Sequence, residues 1–491
     1  KKNLIDLKFT SSKSIQLNDY EIKVFEPVDD KLMFGSAYNN VPGSAYLEIN
    51  NEDLYIISKS GVIGFTKLNN LKKEKFHFSQ IENNIEKFLP FELMKTNNMY
   101  NINDALIHED YLYISFTNEI YDGCFNTGII SANLNKEFLN FSYFFSPKEC
   151  IHKEKNKDQE FYPIQSGGRM TILENNFLLL TTGDYRERYK AQDDKSIFGK
   201  VLSIDLDNKK HSIVSMGLRN PQGITLSKDT KYAITTEHGP MGGDEINITK
   251  LNDNILDNFG WPISSYGEHY GGKVEANKEK YKKYPLYKSH KKFGYKEPLK
   301  SFQPSIGPSE IINYKKNFYL MSTLKDKSLY FIEIDKKRII TSTEALELKE
   351  VPKHMIVIGG GVIGMELGSV YGRLGAEVSV VEFMDEIIPS MDSTMGKELK
   401  KSLKKLGFNF YLGHKVTEVK STAKTVTVKA ENKKGETVEI KGDYCLVSIG
   451  RKPYTEGLGL ENVGIKTDDR GRIEVDEHLK TSADNIYAIG D

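Results

Sequence analysis

A glycine run set between a strand and a helix is the feature that most constrains this chain. Met355-Ile-Val-Ile is a continuous apolar stretch of the kind that fills a parallel sheet, and Gly359, Gly361 and Gly364 follow it directly as G-x-G-x-x-G. Met365–Leu374 then has helical spacing, and Glu377-Val-Ser-Val-Val-Glu reads as a second buried strand ending on Glu382, 18 positions beyond Gly364. A βαβ unit with an acidic residue at that distance is what dinucleotide binding requires. Gly359 permits the tight turn, Gly361 lets the backbone approach a pyrophosphate, and Gly364 lets helix and strand pack closely. The diphosphate then sits at the positive end of the helix. Glu382 would accept hydrogen bonds from the ribose hydroxyls, and its charge would repel a 2′-phosphate, so NAD is expected rather than NADP.

Upstream of about residue 335 the pattern is different. Runs such as Tyr46-Leu-Glu-Ile, Leu54-Tyr-Ile-Ile-Ser, Tyr111-Leu-Tyr-Ile-Ser-Phe, Phe177-Leu-Leu-Leu-Thr-Thr and Phe318-Tyr-Leu-Met-Ser-Thr alternate with turn clusters such as Asn50-Asn-Glu-Asp and Ser227-Lys-Asp-Thr. Many short strands punctuated by turns predict an all-β sandwich, barrel or propeller, and only a propeller comfortably uses more than about 300 residues in one all-β unit. No strict repeat is evident, so any blades have diverged. The expected fold class is therefore multidomain: an all-β domain, read as a propeller, over residues 1–335, for which the resemblance given below implies a six-bladed type left incomplete, then an α/β Rossmann-like domain over 336–491.

Composition narrows the function classes. The 68 basic and 68 acidic side chains cancel, which gives no support for nucleic-acid binding. No apolar run approaches the ~18–20 residues of a membrane span. Residue 1 is Lys, so the sequence is read as starting downstream of an initiation site, with any export signal already removed. Three cysteines exclude a disulfide scaffold and a four-thiolate zinc site. Cys124 and Cys150 either form a bridge, implying an oxidising compartment, or are two buried free thiols.

The densest polar runs of the first half are Gly217-Leu-Arg-Asn-Pro-Gln-Gly, Thr236-Glu-His-Gly-Pro-Met-Gly-Gly-Asp-Glu-Ile-Asn and Phe259-Gly-Trp-Pro. Arg219, Glu237, His238, Asp244 and Glu245 fall among Gly and Pro, where loops are expected. Such a set suits a site in which carbonyls and carboxylates hold a hard cation and Arg219 holds an anionic ligand through its planar fork. A network of turns and salt bridges is the alternative.

These residues carry two family resemblances. From about 337 to 491 the chain resembles the NAD-binding region of lipoamide dehydrogenases. The matching runs are Leu346-Glu-Leu-Lys-Glu-Val-Pro, Gly359-Gly-Gly-Val-Ile-Gly-Met-Glu-Leu-Gly-Ser-Val-Tyr, Gly450-Arg-Lys-Pro-Tyr-Thr, Leu458-Gly-Leu-Glu-Asn-Val-Gly-Ile, Gly471-Arg-Ile-Glu-Val-Asp and Asn485-Ile-Tyr-Ala-Ile-Gly-Asp. The resemblance implies that Gly359, Gly360, Gly361, Val362, Ile363, Gly364, Met365, Glu366, Glu382, Val416 and Gly450 line the NAD site, and that Asp491 contacts a flavin (FAD) arm. The flavin G-x-G-x-x-G, a redox pair of cysteines four residues apart and the His–Glu dyad of that family are not found here, so full lipoamide turnover is not expected.

The second resemblance, strongest over 165–262 and carried weakly to 335, is to soluble aldose and sorbosone dehydrogenases that use pyrroloquinoline quinone (PQQ) on a six-bladed propeller. Gly167-Gly-Arg-Met, Thr182-Gly-Asp and Phe198-Gly-Lys-Val-Leu-Ser-Ile-Asp add to the polar runs. It implies that Arg219 contacts the quinone carbonyls, that His238 and Lys325 lie against the cofactor, and that the Gly239 and Pro240 carbonyls coordinate Ca²⁺. Asp184, Asp244 and Glu245 would support the loops. The family's general base falls on Gln165, which cannot accept a proton at neutral pH, with His152 as a conceivable substitute; loss of a positioned base slows a reaction roughly 10²–10⁴-fold. The arginines expected to hold the quinone carboxylates would lie in a later blade. Relatives of the first half work in the periplasm and those of the second in the cytoplasm. Two partial enzymes from different compartments, joined near Glu333-Ile-Asp-Lys-Lys-Arg-Ile-Ile without linker composition, point to a chimeric reading frame, with an evolved bifunctional protein as the alternative. The expected partners are a nucleotide and a sugar.

Overall fold

The computed structural model describes residues 8–17, 20–27, 45–90, 93–94, 99–174, 176–251, 255–315, 317–334, 338–348, 350–422, 425–450, 453, 455, 458–469 and 471–489. The chain divides into two compact units, Lys1–Ile334 and Asp335–Asp491.

The first unit is built from small, mostly antiparallel sheets that follow one another along the chain. Ala45–Asn50, Asp53–Ser58, Ile63–Lys67 and Ser79–Asn83 make one; Ile102–His108, Tyr111–Tyr121, Cys124–Asn133 and Ser142–Phe145 the next. Gly167–Leu173, Phe177–Thr182, Lys200–Asp205 and His211–Met216 make a third, and Pro221–Leu226, Tyr232–Glu237, Asp244–Lys250 and Lys300–Phe302 a fourth. Three strands, Pro308–Lys315, Phe318–Thr323 and Leu329–Glu333, form a fifth, and Lys8–Leu17 pairs with Tyr20–Pro27 and Lys75–His77. Turn clusters join neighbouring strands, so each sheet closes locally, and apolar faces such as Leu178, Leu180 and Leu202 pack between sheets. No closed ring of sheets is seen among the described residues.

First strands of four of these sheets converge on a buried charged cluster. Arg169 reaches Asp104 at 3.3 Å and Glu310 at 2.8 Å, and its guanidinium lies 5.2 Å from the Tyr46 ring. Burial raises Glu48 to about 7, against a hydrogen bond from the Ile107 N–H, and raises Asp104 to about 8, against the Arg169 charge. A carboxyl raised on folding stabilises the fold while protonated and loses that contribution as pH climbs through its folded pKa. Glu48→Gln, which mimics the protonated form, should therefore gain on the parent by ~1–2 kcal/mol between about pH 5 and about pH 9. Urea denaturation at both pH values checks this; a difference independent of pH would refute it.

Cys124 and Cys150 are joined, with 5.5 Å between their Cα atoms and a sequence separation of 26. Closing a loop of that length removes about 3.5 kcal/mol of chain entropy from the unfolded state. Denaturation with and without reductant should differ by about this amount; identical curves would show that the bridge adds no stability.

The second unit holds a five-stranded parallel sheet in the order Ile339–Ile340, Tyr444–Val447, His354–Ile358, Glu377–Glu382, Asn409–Leu412. Helices Val362–Arg373 and Ser393–Lys405 accompany it, and His414–Ser421, Val426–Asn432 and Thr437–Gly442 form a separate antiparallel sheet. The first helix starts three residues earlier than the spacing predicts. Val362 is 47% exposed, so the apolar periodicity that marks a packed helix face begins only with Gly364 and Met365.

Candidate functional sites

In the second unit a cavity of about 820 Å³ opens over the glycine turn. Of the residues expected there, Gly359, Gly361, Val362, Ile363, Glu382, Val416 and Gly450 line it. Gly364 and Met365 are buried in the helix's packing face, and Glu366 lies on the same helix without lining the cavity. Gly360 donates its N–H to Glu382 Oε2, while Met384 donates to Oε1 at 2.7 Å. A carboxylate has about four acceptor positions, so Glu382 braces the turn and still has lone pairs for hydroxyl donors. Asp491 lies outside the described residues.

The three motif glycines differ in what a side chain would meet. A Cβ on Gly364 would fall 2.1 Å from the Gly359 carbonyl oxygen and 2.5 Å from Ser448 Oγ. Gly359 has φ +105°, and a Cβ there would lie 2.5 Å from the Ser448 carbonyl. At Gly361 a Cβ meets nothing within 4 Å. The protein itself thus requires glycine at 359 and 364, and at 361 it leaves open space where a nucleotide backbone-contact position belongs; the residues present fit NAD. Phe383, His414, Lys415 and Ser448 also line the cavity and were missed, because none has a fixed spacing from the glycines.

In the first unit the polar runs come together, and partly in strands rather than loops: Glu237 ends Tyr232–Glu237, and Asp244 and Glu245 begin Asp244–Lys250. Strand pairing of Glu237 with Glu245 brings the two acids side by side. Burial, reinforced by the neighbouring Glu245, holds Glu237 well above the carboxylate range, and burial raises Glu245 as well. Asp244 accepts from the Gly239, Ile306 and Gly307 N–H groups at 2.8–3.0 Å, so it does tie loops together. Asp184 is fully buried and accepts from Gln165 Nε2 at 2.5 Å, the Arg186 N–H at 2.8 Å and Trp261 Nε1 at 2.7 Å.

Arg219 donates to the His238 and Gly239 carbonyls, both at 2.8 Å, between the rings of Trp261 and Tyr270. The Pro240 carbonyl accepts from the Gly243 N–H at 3.2 Å. The two carbonyls expected to hold Ca²⁺ are therefore already acceptors, one of them for a guanidinium whose charge would repel a divalent cation on the same oxygen. Among the described residues no group of three or more His, Cys, Asp or Glu side chains could hold a metal. As arranged, this donor set does not fit Ca²⁺. His238 is half-buried, lowered by burial, with Nε2 lacking a partner among the described residues. Lys325 is exposed, its N–H bonded to the Ile306 carbonyl. His152 faces a different cavity, beside the disulfide, and its Nδ1 is taken up by the N–H groups of Glu154 and Lys155. Gln165, 2% exposed, is held by Asp184.

A cavity of about 190 Å³ opens beside Arg219, lined also by Trp261, Tyr270, Arg186, Arg188 and Lys280. The last three have no motif in the sequence and were missed; the Phe259-Gly-Trp-Pro run was the one signal toward this wall.

Comparison with known proteins follows the same division. The profile of the pyridine nucleotide-disulphide oxidoreductase family matches residues 332–491, and that of the glucose / sorbosone dehydrogenase family residues 102–353. The mitochondrial dihydrolipoyl dehydrogenase of Dictyostelium discoideum is 50% identical over 179 residues, 36% of this chain and 37% of that protein. Dihydrolipoyl dehydrogenase 3 of Pseudomonas putida is 45% identical over 184 residues, 37% and 39% respectively. The chain thus spans about two fifths of the length of these curated relatives. The soluble aldose sugar dehydrogenase of Escherichia coli, in its apo form, is 19% identical with a TM-score of 0.47, covering 62% of this chain and 85% of that one. The glucose / sorbosone match extends some 60 residues upstream of the run of motifs that carries the sequence resemblance. No helix among the described residues is long and apolar enough to cross a membrane. Through residues 102–353, just over half its length, the chain belongs to the glucose / sorbosone dehydrogenase family, and its residues 332–491 match the pyridine nucleotide-disulphide oxidoreductase family.

Proposed function

We propose that the second unit, residues 336–491, is an NAD(H)-binding domain of lipoamide-dehydrogenase type, ending in the edge of a flavin domain, joined to an incomplete six-bladed sugar-dehydrogenase-like propeller over residues 1–335. The observation that carries the nucleotide reading is Gly361. Its Cβ position faces open cavity, while Gly359 and Gly364 are closed by protein atoms. Glu382 at the rim supports NAD over NADP. This half binds and orients a nucleotide without turning over lipoamide. Cys445 is buried and pushed up to about 12, and Cys124 and Cys150 are bonded to each other 26 residues apart, so the chain has no dithiol at the redox spacing. Fluorescence titration of the full chain with NADH tests the reading. Saturable binding, weaker by tenfold or more for NADPH, is expected; no binding, or equal binding, would overturn it.

A second reading, a propeller that binds a sugar-like ligand without oxidising it, is favoured by Gln165, whose amide is bonded to Asp184 in the place where a base is needed. PQQ would supply the electron sink in relatives of this family, but the Gly239 and Pro240 carbonyls are not arranged for its metal. Dye-linked aldose oxidation should stay at background after adding PQQ and Ca²⁺; turnover would overturn this reading.

A further inference from the structure

The cavity beside Arg219 is more basic than a neutral sugar needs. Arg186, Arg188, Arg219 and Lys280 line it against a single lining carboxylate, Glu160. Burial works against that carboxylate, but hydrogen bonds from Lys280 and Arg188 outweigh it and bring Glu160 down to about 2, so it neutralises at most part of the charge. Arg188 is 6% exposed, and its Nε has no partner among the described residues. Arg186, unlike Arg188, has no carboxylate partner among the described residues; its guanidinium lies on the Tyr162 ring at 4.3 Å and near Tyr270 at 5.7 Å. Asp158 also lies 3.5 Å from Arg188, and the charge of Asp184 acts on both Arg188 and Arg219, but neither reaches the Arg188 Nε; an orphaned buried donor is destabilising, and with the Arg186 guanidinium it calls for an acceptor from a ligand.

The backbone holds Arg186 there under strain. Tyr185 and Arg186 have φ +49° and +66°, two successive non-glycine residues in the left-handed region. Three contacts fix the turn: the Tyr185 N–H to the Gln165 carbonyl at 3.1 Å, the Tyr185 hydroxyl to Thr127 at 3.0 Å, and the Arg186 N–H to Asp184. Strain maintained by surrounding structure is found where a side chain must be aimed. Here it aims a guanidinium at the cavity. Arg219 meanwhile sits on the Gly239 carbonyl, so positive charge at that point comes from the protein itself.

We propose that this cavity binds a small organic oxyanion, a monosaccharide-sized carboxylate or phosphate, without a metal ion. Its volume, about that of six water molecules, suits such a ligand. The guanidinium fork of Arg186 and the unpartnered Nε of Arg188 provide donors for the oxyanion, and Trp261 and Tyr270 offer apolar faces to a sugar ring. The proposal is independent of nucleotide binding, which involves the other unit.

Trp261 is the chain's one tryptophan and lines the cavity, so its emission reports binding directly. The full chain is titrated at constant ionic strength with sodium gluconate, glucose 6-phosphate, inorganic phosphate and glucose, each with and without EDTA. Gluconate or glucose 6-phosphate should change the emission saturably, at least tenfold more tightly than glucose, with EDTA without effect; which of the two binds more tightly identifies the oxyanion. Arg186→Gln should weaken that binding roughly 10–100-fold with an unchanged melting temperature, the range expected for losing a charged hydrogen bond. Lys280→Gln is a second test should Arg186→Gln misfold. The proposal fails if glucose binds as well as the anions, if response is seen only with inorganic phosphate, if it needs PQQ and Ca²⁺, if both variants bind like the parent, or if no anion changes the emission.

Discussion

Gly361→Asp should abolish NADH binding in a chain that remains folded. The Cβ of residue 361 meets no protein atom within 4 Å, and the backbone at this N-cap of Val362–Arg373 is extended at φ −72°, open to any residue. Asp is itself a favourable N-cap, so the helix should keep its stability or gain slightly. The new side chain would occupy the space over the turn and set a carboxylate where the pyrophosphate must approach the helix N-terminus. Steric exclusion and like-charge repulsion at about 4 Å act together, and binding should weaken by at least ~100-fold, about 2.7 kcal/mol. Gly364→Ala should behave in the opposite way. Its methyl would meet the Gly359 carbonyl at 2.1 Å, so the turn must shift, and stability should fall by ~1–3 kcal/mol. NADH titration and thermal melts of both variants separate the roles. Unchanged binding in Gly361→Asp would remove the nucleotide assignment.

Asp184→Ala should be the most damaging single change in the first unit. The Asp184 carboxylate holds three buried donors: the Gln165 amide, the Arg186 N–H and the Trp261 indole N–H. Burial raises its pKa while Arg219 and Arg188 pull it down, so the group has a stake in the cationic wall as well. Removing it leaves those donors without an acceptor, at ~1–3 kcal/mol each, and a loss of at least ~3 kcal/mol in unfolding free energy is expected. It also frees Trp261, so the emission maximum should move to longer wavelength before unfolding begins. Asp184→Asn, which keeps one acceptor oxygen, should recover part of the stability. Parent-like denaturation of Asp184→Ala would show that the three donors find other partners.

The sequence was legible where chemistry depends on neighbours along the chain. The strand–glycine–helix–strand order from Met355 to Glu382 is such a case, because turn, helix start and acidic residue all lie within one βαβ unit. Both family relationships were readable for the same reason, from contiguous runs such as Asn485-Ile-Tyr-Ala-Ile-Gly-Asp and Thr236-Glu-His-Gly-Pro. Less legible was the polar site of the first unit. Arg186, Lys280 and Arg219 are separated by up to 94 positions, and nothing in their spacing marks a shared cavity.

What the sequence by itself determined, then, is the division into a β-rich part and an α/β part, the glycine turn with Glu382, and the missing redox cysteine pair. Only the tertiary structure decided between the two readings of Cys124 and Cys150, since covalent pairing depends on the 5.5 Å between their Cα atoms and not on the 26 residues along the chain. It alone moved Arg219 onto the Gly239 carbonyl, placed Gln165 on Asp184, and gathered four cations around about 190 Å³. Local order follows from hydrogen bonding and periodicity within a few residues. A site assembled from separate sheets depends on how those sheets pack, and residue spacing carries no record of that.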